Sequence, residues 1–160
     1  MIDPDMQRFY NRGRERERLL RGAGTLELAR TQELLQRDLP PPPAEILDVG
    51  GGPGVYAAWL ARAGYRVHLI DPVPLHIQQA QEAAAAQPAH TFTASEGDAR
   101  QLAVAESSVD AILLLGPLYH LPEREQRLAA LAEARRVLRP GGVAFIGAIS
   151  RFGSLLDAVR

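Results

Sequence analysis

The segment Ile46-Leu47-Asp48-Val49-Gly50-Gly51-Gly52-Pro53-Gly54 carries the strongest chemical signal in the 160-residue chain. Glycines in such a run let the backbone turn sharply, and they let a ligand reach main-chain N–H groups at a helix start. A glycine-rich turn can also do no more than join a strand to a helix, so spacing decides. A dinucleotide fingerprint has the form Gly-x-Gly-x-x-Gly, and Val55 stands where its third glycine belongs. The chain has Gly50-x-Gly52-x-Gly54 instead, preceded by Asp48, which lowers the weight of a nicotinamide cofactor. A second acid, Asp71, follows Gly50 by twenty-one residues. At that distance its side chain can accept hydrogen bonds from both ribose hydroxyls of an adenosine group. Its other role is to cap the helix led by Pro74, and the distance from the loop favours the ribose.

Other chemistries are narrowed by what is missing. The chain has no cysteine, which removes disulfides, thiolate nucleophiles, iron–sulfur clusters and cysteine zinc sites. It has no lysine either, so Schiff-base chemistry and a P-loop lysine are excluded, and all 18 basic residues are arginine. The four histidines, His68, His76, His90 and His120, include no His-x-x-x-His pair, so no metal is expected. His68 and His76 read as packing residues of a strand and a helix, and His90 as an exposed residue at a strand start. A net charge of −1 gives no reason to expect nucleic acid or membrane as partner. The polar N-terminus does not read as a signal peptide, and no apolar run approaches the ~20 residues of a membrane helix. A cytoplasmic location is the resulting expectation.

Elements must hold these residues in place. From Ala44 onward strands and helices alternate. The expected strands are Glu45–Val49, Arg66–Ile70, Thr91–Ala94, Val109–Leu115 and Val143–Ile149. The expected helices between them are Val55–Ala63, Pro74–Ala86 and Glu123–Leu138, the last begun by Pro122 and stopped by Pro140-Gly141-Gly142. Alternation of this kind predicts right-handed crossovers and a parallel sheet covered on both faces. Upstream, Asp5–Arg21 is densely charged, with Glu17 and Arg21 in helix-supporting order. A break at Gly22–Gly24 precedes a helix over Leu26–Asp38 with an apolar stripe of Leu28, Leu34, Leu35 and Leu39. Pro40–Pro43 then stiffen the approach to the first strand, which divides the chain into an N-terminal helical segment over 1–43 and a ligand-binding domain over 44–160.

Four ordered segments carry a family resemblance: Leu47–Gly54, Leu69-Ile70-Asp71, Glu96-Gly97-Asp98-Ala99 and Arg135-Arg136-Val137-Leu138-Arg139-Pro140-Gly141-Gly142. Together they are similar to the motifs of class I S-adenosylmethionine (SAM) dependent methyltransferases, and most of all to the small-molecule enzymes related to quinone-ring methyltransferases. The resemblance implies a Rossmann-like three-layer α/β/α sandwich with a mainly parallel sheet. It implies that the backbone of Gly50, Gly51, Gly52 and Gly54 passes under the methionine half of SAM, with Asp48 near the amino group. Asp71 would hold the ribose, Pro72 and Val73 the adenine face, Asp98 the adenine amino group and the Ala99 N–H the ring. As a plain alternative, Asp98 is a turn residue after Gly97. Leu115 and Gly116 would give backbone contacts. Tyr119 and His120 would be the polar side chains nearest the transferred methyl.

Transfer from a sulfonium needs alignment and dryness more than a catalytic group, and a base only where the acceptor is protonated. His120, with an ordinary pKa near ~6.5, could be that base, although a packing role that only shapes the pocket weighs slightly more. Helices before the first strand often fold over the cofactor in this family. Tyr10 could then stack near SAM, and Arg18 or Arg30 could pair with its carboxylate. For each arginine singly, a weak surface ion pair is the favoured role, and an RNA-binding arm finds no aromatic support. The family's sheet has seven strands and the sequence shows five, so a truncated chain with an exposed, association-prone sheet edge is expected. The overall expectation is methyl transfer from SAM to an oxygen, nitrogen or carbon of a small molecule. The alternative is a SAM- or nucleotide-binding module without catalysis, acting as a sensor or partner subunit.

Overall fold

Apolar residues on both sides of the three central strands leave the sheet only one stable place, between two layers of helix. In the computed structural model, which describes residues 8–11, 13 and 15–149, that is where the sheet lies. The elements are α1 (Glu15–Arg18), α2 (Ala23–Asp38), β1 (Glu45–Val49), α3 (Val55–Arg62), β2 (Arg66–Asp71), α4 (Pro74–Ala85), β3 (Thr93–Glu96), β4 (Val109–Leu114), α5 (Arg124–Val137) and β5 (Leu138–Ile146). Short 3₁₀ turns stand at Pro88–His90 and Pro117–His120. The five strands are ordered β3-β2-β1-β4-β5, and every pairing is parallel.

Strand alternation sorts the core into two clusters. Ile46, Val67, Leu69, Ala111 and Leu113 face α2, α3 and α4, where Leu35, Leu60 and Ala80 meet them. Leu47, Val49, Ile70, Ile112 and Leu114 face the opposite side, against Ala130, Ala134 and Val137 of α5. Each fully buried Leu or Ile of this kind stabilises the fold by about 1.5–3 kcal/mol relative to leaving it exposed. The apolar stripe of α2 is thinner than its sequence suggests. Only Leu35 is buried, while Leu28 and Leu39 pack partly against the first cluster.

Most element boundaries agree with expectation to within a residue or two, and three differ for identifiable reasons. Strand β3 covers Thr93–Glu96 rather than 91–94, because the turn at Pro88–His90 takes up the preceding chain and Phe92 is buried before pairing begins. His90 therefore ends that turn, exposed, instead of starting a strand. Strand β5 begins at Leu138, the last residue of the expected helix, rather than at Val143. Pairing jumps from Val109↔Leu138 to Ala111↔Val143, so Arg139–Gly142 form an irregularity in the strand, with Gly141 at φ 83°. The strand ends at Ile146, and the Gly147 N–H closes its ladder on the Leu114 carbonyl at 2.9 Å. Helix α2 starts at Ala23, so Gly24 lies inside its first turn. A side chain on Gly24 would stand 1.9 Å from the Arg18 carbonyl oxygen, which explains the glycine there. Among the described residues no helix is long and apolar enough to cross a membrane.

Candidate functional site

β1 is the point where the chain's direction of travel across the sheet reverses, with β2 on one side and β4 on the other. In open parallel sheets the carboxyl ends of such strands flank a crevice suited to ligands. Here the crevice is a cavity of about 830 Å³, lined by the ends of β1, β2 and β4, the loop after β3 and the N-terminal segment.

The loop after β1 is shaped by its neighbours. Gly50 has φ 70°, donates its N–H to the Ile70 carbonyl at 2.7 Å, and would place a Cβ 2.8 Å from the Pro117 ring. A Cβ on Gly51 would stand 2.6 Å from Asp48 Oδ2, so this part of the loop rests directly on that carboxyl group. The Gly52 N–H points inward and donates to Asp71 Oδ2 at 2.9 Å. Gly54, at φ 88°, opens α3.

Two acids meet beneath the loop. Asp48 is 2% exposed, and its Oδ2 is buried with no hydrogen-bond partner. Burial, with the Asp71 charge nearby, pushes its carboxyl up to about 7. Asp71 is also buried, but both of its oxygens have partners. Its Oδ1 accepts from the Val73 N–H at 2.9 Å and from His76 Nδ1 at 3.0 Å. Asp71 thus binds the turn ahead of α4 without being its N-cap, which is Val73 and carries no side-chain cap bond.

Tyr10, Tyr119 and His120 line the same cavity as the two acids. The Tyr10 hydroxyl is hydrogen-bonded to His120 Nε2 at 2.7 Å. The Tyr10 ring stands edge-on to His76 and to His120, with centroids 5.0 and 5.6 Å away. Burial raises the Tyr10 and Tyr119 hydroxyl pKa values and lowers that of His120, so the imidazole is favoured neutral. Arg18 lines the cavity but is held from two sides, by Glu15 at 2.6 Å and Glu27 at 2.7 Å. Asp98 is a turn residue, bridged to Gln101. It accepts from the Arg100 N–H, and the Arg100 guanidinium beside it holds its carboxyl below the usual range.

Of the residues singled out in the sequence, Tyr10, Arg18, Asp48, Gly50, Gly51, Gly52, Asp71, Pro72, Val73, Asp98, Ala99, Leu115, Gly116, Tyr119 and His120 all line this one cavity. Arg30 and Gly54 do not. Arg30 is exposed on α2 and paired with Glu33 at 2.5 Å. Gly54 is a packing position, where a Cβ would come within 3.0 Å of the Phe92 ring. His68 is hydrogen-bonded to Thr93 and Ser95 of the adjacent strand, a packing role. His76 is different, because it lines the cavity and grips Asp71. Its signal was its place two residues into a proline-led helix, close enough for its ring to reach back to the acid at the strand end. Among the described residues no group of three or more His, Cys, Asp or Glu could hold a metal.

The donor set fits a cationic, adenosine-bearing cofactor. A buried carboxyl oxygen without a partner, forced against a second acid, is stabilised by an ammonium group placed on it. Beside it stand Asp71 and the glycine turn at a helix start, the surroundings the resemblance assigns to a ribose and an amino-acid tail.

Comparison with known proteins is consistent with this arrangement. Residues 46–142 match the family described as methyltransferase domain. A methyltransferase of Mycobacterium avium (strain 104) is 42% identical over 101 residues, which are 63% of this chain and 38% of that protein. The chain therefore spans about two-fifths the length of that relative. The crystal structure of a SAM-dependent methyltransferase from Methanosarcina mazei is 29% identical, with a TM-score of 0.63 over 69% of this chain and 54% of its own. The cyclase SpnF is 26% identical, with a TM-score of 0.65 over 72% of this chain and 42% of its own.

Proposed function

Because the chain belongs to the family of class I SAM-dependent methyltransferases, we propose that its cavity binds SAM and serves methyl transfer to an oxygen, nitrogen or carbon of a small molecule. The observation that carries this reading is the unpartnered, buried Asp48 carboxyl under a three-glycine turn at the carboxyl end of β1. Asp48 would take the amino group of the cofactor, and the Gly50–Gly52 backbone would pass along its methionine half. Asp71 would receive the ribose, and Asp98 and Ala99 the adenine.

When bound, SAM supplies an electrophilic methyl on a sulfonium that is already a good leaving group. What remains for the chain is to aim the acceptor and keep water out. Tyr10 and Tyr119 would wall the acceptor side. His120 would accept a proton where the acceptor is a hydroxyl or phenol, which requires its Nε2 to exchange Tyr10 for substrate. Where the acceptor is an unprotonated amine, His120 would only shape the wall.

A second reading has its own support. The likeness to SpnF, a cyclase, shows this architecture carrying a protein named for a different reaction, so SAM binding without methyl transfer is the alternative. Calorimetry with SAM, S-adenosylhomocysteine and NAD separates the cases. Binding of both sulfur ligands and not NAD is the expected result. Binding of NAD alone would overturn the reading. SAM binding with no methyl transfer by the protein to any acceptor tried would favour the alternative.

A further inference from the structure

The carboxylate of Asp71 does not have room for two ribose hydroxyls. A carboxylate offers roughly four lone-pair sites, about two on each oxygen. Oδ1 already accepts from the Val73 N–H and from His76, and Oδ2 from the Gly52 N–H. One site is left. The three occupied bonds also hold the glycine turn and the start of α4 in place, so giving one up to a ligand would loosen the site it binds.

His76 supplies what Asp71 lacks. It lines the same cavity, its side chain is 4% exposed, and its Nε2 is buried without a hydrogen-bond partner. The tautomer follows from the partner on the other nitrogen. Asp71 Oδ1 is an acceptor, so Nδ1 carries the hydrogen, and in the neutral ring Nε2 keeps its lone pair. A buried acceptor left unmade costs free energy, which a ligand O–H can recover. The Tyr10 ring is centred 5.0 Å from the imidazole.

We propose that His76 is a second hydroxyl acceptor of the site, so that a ribose diol is divided between Asp71 Oδ2 and His76 Nε2, one hydroxyl each. The proposal rests on the cofactor reading above and adds to it a residue whose role is to recognise the sugar.

The test measures S-adenosylhomocysteine and its 2′-deoxy and 3′-deoxy analogues by calorimetry against the intact chain, His76→Phe and His76→Gln. In the unmodified chain each deletion is expected to weaken binding by up to about tenfold, the value of one hydrogen bond. In His76→Phe one of the two deletions becomes neutral and the other keeps its cost. His76→Gln can donate to Asp71 and still present an acceptor, and it retains both costs. Equal costs in His76→Phe and the unmodified chain would mean that His76 only positions Asp71, and would overturn the proposal. If His76→Phe does not fold, the imidazole nitrogen resonances of the unmodified chain decide. The unprotonated nitrogen of His76 should move upfield with S-adenosylhomocysteine and fail to do so with one deoxy analogue. An identical response to all three ligands would also overturn it. If the unmodified chain binds no S-adenosylhomocysteine at all, the cofactor reading falls and takes the proposal with it.

Discussion

Asp48 is where electrostatics and function pull against each other. Its folded-state pKa of about 7 lies above the ordinary 3.8, so the native state holds a proton that the unfolded chain releases. The sign follows by linkage. The folded state gains from this group at low pH and loses that gain as pH rises from about 4 through about 7. Asp48→Asn removes the charge that burial opposes. It should raise stability at pH near ~8 by about 1–2 kcal/mol, read by denaturant unfolding. The same change should weaken SAM binding at least tenfold, about 1.4 kcal/mol, since the ammonium loses its ionised partner. On the proposed reading the ionised Asp48 is the binding form, so affinity of the unmodified chain should rise with pH up to about 7 and level off above it. A flat profile across that range would remove Asp48 from the amino-group site.

Among the elements, the glycine turn and the loop after β4 form one unit. Gly50 combines a positive φ with a Cβ position 2.8 Å from Pro117. Gly50→Ala should therefore cost about 1–3 kcal/mol in thermal unfolding and shift the Tyr119–His120 turn that follows Pro117. Loss of cofactor affinity without loss of stability would instead point to the ligand's path alone. This pairing of loops was invisible in the sequence, because Gly50 and Pro117 meet only through the β1–β4 pairing. The strands themselves were legible, since doubly buried apolar runs such as Val109–Leu114 have few other uses. The cavity lining was legible where it followed strand ends, at Asp48, Asp71 and Asp98. It was not legible where it depended on the rotation of a helix. His76 faces the cavity and Arg30 faces solvent, and nothing in their neighbours' residue types distinguished the two. The early start of β5 was not legible, because proline and glycine end helices and interrupt strands alike.

On the scale of the whole molecule, β5 is an outer strand of the sheet among the described residues, next to a groove of about 460 Å³ lined by Leu131, Leu138 and Ile146. Ile146 is 48% exposed. Unpaired edge backbone beside apolar side chains invites a second strand, and a second copy of this chain is the partner always available. Sedimentation velocity across rising concentration should show self-association, which Ala144→Lys on the same strand should suppress. A monomer at every concentration would count against this edge as a contact. The parallel arrangement has another use. Every strand delivers its carboxyl end to the ligand rim, which leaves the opposite rim free of the site. Ala105 and Glu106 sit there, exposed, just ahead of β4. In a chain with no cysteine, Glu106→Cys would be its one thiol, a single point for a dye or a tether. Immobilised by that handle, the protein should present its cavity outward to solution and bind ligand as it does when free.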